Sequence, residues 1–92
     1  MNKDRLCAKI DQFRQSITAA NELIVDIDDA MKELVCKESL RRKVGDTTGA
    51  DAYRRAYRLL DMKRDSFKHS VHTLETNIYM VEEILKIESL FS

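Results

Sequence analysis

The sequence predicts an all-α fold, an antiparallel two-helix coiled-coil hairpin, on three observations. Its 92 residues contain no proline. Apolar side chains recur at heptad spacing through both halves. Both glycines, Gly45 and Gly49, fall in one mid-chain stretch, LRRKVGDTTGADAYRR, residues 40–55. A chain of this length and average usage would carry about four or five prolines. Long uninterrupted helices exclude proline because it lacks the amide donor and its ring clashes with the preceding turn.

The first helix is predicted over about residues 3–44. Leu6, Ile10, Phe13, Ile17, Ala20, Ile24, Ile27, Met31 and Leu34 follow one another at alternating steps of 4 and 3. Sustained over four heptads, that alternation is the coiled-coil signal. It loosens beyond Leu34, where Glu38 and Arg41 fall in the next core slots and Leu40 and Val44 can turn toward Tyr53 and Tyr57. The turn is placed at 45–48. Gly45 can take the left-handed conformation that ends a helix, and Arg41, Arg42 and Lys43 complement the negative end of the helix dipole. Thr48 is the expected cap of the next helix, with Asp51 completing a capping-box-like pair.

The second helix is predicted over about 49–91. Its series is Tyr53, Tyr57, Leu60, Arg64, Phe67, Val71, Leu74, Ile78, Val81 and Leu85, with Arg64 its one charged member. Facing layers of an antiparallel pair share a constant residue-number sum. A sum of about 98 would set Ile27 against Val71, Ala20 against Ile78, Phe13 against Leu85 and Leu34 beside Arg64.

Charged residues make up 35% and the hydrophobic set 43%, the balance of a soluble chain that folds. Formal charge is zero but uneven: residues 37–68 carry 10 basic and 5 acidic side chains, whereas 69–92 carry 1 and 4. A transmembrane helix needs about 18 or more consecutive apolar residues, and no such run exists. The opening MNKDRLCAKIDQF has no apolar core of the secretory type. A cytoplasmic location is expected, with export without a cleavable signal peptide left open. Cys7 and Cys36 fall on one helix, roughly 43 Å apart at 1.5 Å per residue, beyond reach of a bridge.

Two rods in contact along one stripe leave most of their surface wet. Leu23, Val35, Tyr79, Met80, Ile84, Ile87, Leu90 and Phe91 lie off the seam, as do Leu59 and Met62, and the end IYMVEEILKIESLF is apolar on nearly every side. A helix apolar all round is normally buried. These residues are therefore the candidate partner-binding surface. The expected assembly is a four-helix bundle, either a homodimer or a heterodimer with another helical protein.

The remaining candidates for chemistry have weaker patterns. His69-x-x-His72 puts two imidazoles near one helical face, as half of a di-metal site would, yet both fall off the seam and no Glu-x-x-His motif accompanies them. The acidic run DIDDA lacks the glycine and ligand alternation of a calcium loop. GDTTGAD lacks the Gly-Lys-Ser/Thr ending of a phosphate loop and follows a helix. No catalytic, metal or cofactor-binding residue is assigned, and the chain is not expected to be an enzyme. A basic tip formed by Arg41, Arg42, Lys43, Arg54, Arg55 and Arg58 could hold nucleic acid phosphates or an acidic protein surface. Asp46, Asp51, Asp61 and Asp65 dilute it, so nucleic acid is the lesser expectation.

Length, absent proline, a mid-chain turn and two long amphipathic helices together resemble the WXG100/ESAT-6-like hairpins of type VII secretion, and the small accessory proteins that pair with secreted LXG toxins. Val44-Gly45-Asp46 stands where that family has Trp-x-Gly, keeping a glycine but no tryptophan. Tyr79-x-x-x-Glu83 matches its Tyr-x-x-x-Asp/Glu export signal in form and distance from the C-terminus. The resemblance implies pairing with a co-secreted helical partner. The function expected is that of an adaptor or chaperone-like protein in a secretion or assembly system. The alternative is a small regulator or inhibitor that binds nucleic acid or an acidic protein surface through its basic tip.

Overall fold

The computed structural model describes residues 2–91; Met1 and Ser92, the ends of the expected 1–92 unit, lie outside the described residues. Two helices, α1 (Lys3–Lys43) and α2 (Thr47–Leu90), pack side by side as an antiparallel hairpin. The rod measures 72 × 14 × 13 Å. α1 begins at Asn2, whose side-chain oxygen accepts the Arg5 amide at 3.0 Å and satisfies one otherwise unpaired donor of the first turn.

α1 ends on glycine, as expected. Gly45 has φ 80°; its amide donates to the Arg42 carbonyl at 3.1 Å and the Asp46 amide to that of Arg41 at 2.9 Å. Those two bonds form a Schellman turn, which satisfies the last carbonyls of the helix. A side chain at Gly45 would meet open space, so the backbone angle alone demands the glycine.

The start of α2 corrects the sequence expectation. Asp46, not Thr48, is the cap: its carboxylate accepts the Gly49 amide at 2.9 Å, and the helix begins at Thr47 instead of about 49. The turn accordingly shrinks to Val44–Asp46. Gly49 makes this possible, because a Cβ there would collide with the Asp46 carboxylate folded over it. Asp51 is not a capping partner. It accepts a hydrogen bond from Arg42 at 3.1 Å.

The seam follows the heptad series. All nineteen of its expected members, from Leu6 to Leu34 and from Tyr53 to Leu85, are buried or half-buried. Only Ile10, Ala20, Met31 and Ala50 fall into the buried class among the described residues. Glu38 takes its slot beside the seam, half-buried, whereas Arg41 is exposed and bonds back to Asp46 at 3.7 Å. Leu40 and Val44 share a shallow groove with Tyr53 but stay 62% and 73% exposed.

Register is the second correction. The helices turn between residues 43 and 47, Asp28 bonds to Arg64, and Leu34, Tyr53 and Tyr57 line one groove. Among registers that bring the two heptad series together, these observations select a sum of about 91, one heptad from the expected 98. Ile27 then stands opposite Arg64, Ala20 opposite Val71, Phe13 opposite Ile78 and Leu34 opposite Tyr57. Arg64 does not sit beside Leu34. Its guanidinium donates to Asp28 at 2.6 Å and Asp61 at 2.7 Å. A heptad pattern cannot distinguish registers seven residues apart; the short turn and this ion pair do.

Candidate helix-docking surface

Antiparallel pairing brings like flanks of the two helices together on each side of the seam. One flank is charged. Arg14 and Glu82 meet there at 2.9 Å, and Asp28 and Asp61 share Arg64. The hydrogen bond from Arg64 holds the Asp28 carboxyl below its ordinary range, with the Arg64, Lys68 and Lys32 charges adding to it against desolvation. The bond to Asp28 in turn raises Arg64. Val35 lies over this flank, lining a groove with Asp28, Met31, Lys32, Tyr57 and Arg64.

The opposite flank is nearly free of charge on its α2 side. Along α2 a second series runs at steps of 3 and 4 from Ala56 to Phe91, each member one residue before a seam position and so rotated about 100° from the seam. It holds Ala56 and Leu59 near the turn, Ser66, Ser70, Thr73 and Asn77 in the middle, and Met80, Ile84, Ile87 and Phe91 at the far end. Its single charge is Lys63, whose ammonium leans onto the Phe67 ring, 5.1 Å from the centroid. Such a contact draws the charge back toward the seam. On α1 the same phase holds an uncharged run of Gln12, Ser16, Ala19 and Leu23, flanked by Arg5 and Lys9 on one side and by Asp26, Glu33 and Lys37 on the other.

Every residue expected to bind a partner is exposed: Leu23, Val35, Tyr79, Met80, Ile84, Ile87, Leu90 and Phe91. They do not form one patch. Met80, Ile84, Ile87, Phe91 and Leu23 share the flank opposite Arg14 and Glu82, Val35 sits across the seam, and Tyr79 and Leu90 point to other sides of α2 by their helical phase. Val25, Leu40 and Val44 are further exposed apolar residues that the sequence reading did not place on this surface. The ordered stripe was legible in the heptad phase of α2 once the seam positions were fixed. Burying five such side chains contributes about 7–15 kcal/mol, against association costs of about 4–15 kcal/mol.

The basic tip is divided. Arg41 bonds to Asp46, and Arg42 bridges Glu38 at 3.8 Å and Asp51 at 3.1 Å. Lys43 is exposed at the end of α1. Arg54, Arg55 and Arg58 surround a shallow groove beside Asp51. His69 and His72 are exposed, and Cys7 and Cys36 are exposed free thiols. Among the described residues, no three His, Cys, Asp or Glu side chains are grouped to share a metal ion, and no helix is long and apolar enough to cross a membrane. Comparison with protein-family models, with curated proteins and with solved structures finds no match to this chain.

Proposed function

We propose that the chain acts by pairing with another helical polypeptide, as a non-enzymatic adaptor or chaperone-like partner in a secretion or assembly system. One observation carries the pairing: thirteen large apolar side chains are exposed while four residues are buried among those described. A surface of that kind marks an interaction site on a folded protein. Placement in a secretion system rests on the architectural resemblance to the WXG100/ESAT-6-like hairpins and on exposed Tyr79 four residues before Glu83. Such a protein works in the cytoplasm, where it meets its partner.

The test is recovery of the tagged full chain from its own cells. The native chain is expected to carry a stoichiometric helical partner, a second copy or a different protein. The Ile84→Ser, Ile87→Ser variant is expected to lose it while staying helical by circular dichroism. Retention of the partner by that variant would refute the proposal.

A second reading has its own observation: Arg54, Arg55 and Arg58 are exposed and, among the described residues, form no ion pair within the hairpin. Three guanidinium groups on one helical turn could bind nucleic acid or an acidic protein surface, as a small regulator would. Reversing all three to glutamate would abolish that binding and spare helical pairing. The Ile84→Ser, Ile87→Ser variant would do the opposite.

A further inference from the structure

We propose that the charged flank, near the tip, binds a short acidic peptide segment. A bulky apolar side chain of that segment sits against Val35, and carboxylates beside it are held by Arg54, Arg55 and Arg58. This rests on the second reading above, binding through the basic tip, and names the chemistry of the partner. Two hollows there share Arg54. One, of about 260 Å³, is lined by Leu34, Val35, Glu38, Tyr53, Arg54 and Tyr57. The other is walled by Asp51, Arg54, Arg55 and Arg58. Together they make one groove, apolar at one end and cationic at the other.

The apolar end has a floor but no cover. Leu34, Tyr53 and Tyr57 belong to the seam and are half-buried, whereas Val35 beside them is 54% exposed. A hollow of this size takes a leucine-sized side chain, and filling it removes apolar surface of both partners from water.

Charge supplies the rest of the occupant. The two carboxylates in the walls, Glu38 and Asp51, are both ion-paired to Arg42. Arg54, Arg55 and Arg58 form no ion pair among the described residues. Four arginines against two carboxylates leave a local balance of +2. Farther along the flank, Asp28 and Asp61 are held by Arg64. Lys32 lines the adjoining groove, which shares Val35 and Tyr57. Guanidinium groups match carboxylates with paired N–H donors. A phosphate backbone would also meet these arginines, but its continuous charge would run past Glu38 and Asp51, and it has no aliphatic side chain for the hollow. Discrete carboxylates around one apolar side chain satisfy both conditions. The groove lies across the seam from Met80, Ile84 and Ile87, so a helical partner on that side leaves it open.

The test follows the backbone amide signals of the isotope-labelled full chain by NMR. A capped peptide, EEDLDEE, is added to about 2 mM, enough to register a dissociation constant near 1 mM. Shifts are expected at Val35, Arg54, Tyr57 and Arg58, and they are expected to shrink as salt is raised. EEDADEE is expected to bind about fivefold more weakly, having no side chain for the hollow. Val35→Ser changes an exposed position outside the seam; on it the two peptides are expected to differ by less than about twofold. The Arg54→Glu, Arg55→Glu, Arg58→Glu variant is expected to bind neither. Equal affinity of the two peptides for the native chain, or shifts confined to other residues, would overturn the proposal and leave charge-driven binding by the tip in place. A dodecameric DNA strand that shifts these residues when the peptide does not would overturn it in favour of nucleic acid. No shift with either would overturn the proposal and the second reading together.

Discussion

Replacing Arg64 with leucine is expected to stabilise the hairpin. Arg64 occupies a seam slot opposite Ile27, with 26% of its side chain exposed. Its two ion pairs reach Asp28 and Asp61, whose side chains are 40% and 45% exposed. Pairs this accessible contribute about 0.2–1 kcal/mol each. Against them stands the Arg64 Nε, buried with no hydrogen-bond partner. A buried unpaired donor of this kind costs about 1–3 kcal/mol. Leucine in a mostly covered slot adds about 1 kcal/mol beyond what the arginine stem already buries. Asp28 and Asp61 are left facing water, so no charge is stranded. The balance is a gain on the order of 1 kcal/mol, about 4–8 °C in the melting midpoint of a chain this size. Arg64→Ala, which loses both the pairs and the stem, is expected to lower the midpoint instead. Thermal unfolding of both variants followed by circular dichroism measures this, and a midpoint for Arg64→Leu below that of the native chain would refute the reasoning.

The same cluster sets a pH dependence. Asp28 is held below its ordinary carboxylate range by Arg64, so its contribution is fully present above a pH of about 4 and disappears as pH falls through the lowered value; acid titration of stability is expected to lose that component in Arg64→Leu. At the turn, Asp46→Ala removes the cap on Gly49 and is expected to cost about 1 kcal/mol, whereas Thr48→Ala is expected to change stability by less than about 0.5 kcal/mol. Denaturant unfolding separates the two, and the reverse order would restore Thr48 as the cap. Gly45→Ala introduces no contact but forces alanine to φ 80°. It is expected to destabilise by about 1–2 kcal/mol in the same assay.

The seam was fully legible in sequence because a period of 3.5 residues admits one buried stripe per helix. Its register was not. The heptad pattern repeats every seven residues, so Arg64 fits beside Leu34 or opposite Ile27 equally well, and only the turn decides. The turn in its turn is placed in sequence by taking Thr48 as the cap, whereas Asp46 caps the helix. The structure shows why Asp46 can do so: glycine three residues on leaves room for its carboxylate. Ala50, the most buried of the described residues, was not singled out, although it stands three residues before Tyr53 in the same heptad phase: the expected series begins at Tyr53 because the helix is expected to start at about 49, and the earlier start at Thr47 brings Ala50 into the seam. On the candidate surface, the exposed apolar residues were identified individually. That Met80, Ile84, Ile87, Phe91 and Leu23 share one flank emerges only when the seam and the Arg14–Glu82 side fix which way each helix is rotated.

Melting the full chain at a series of concentrations tests most directly the claim that this flank needs covering. The midpoint is expected to rise with concentration, because association is linked to folding when only the associated form buries enough surface. A sharp transition at one temperature throughout, in the range of about 45–65 °C typical of self-sufficient domains, would contradict it.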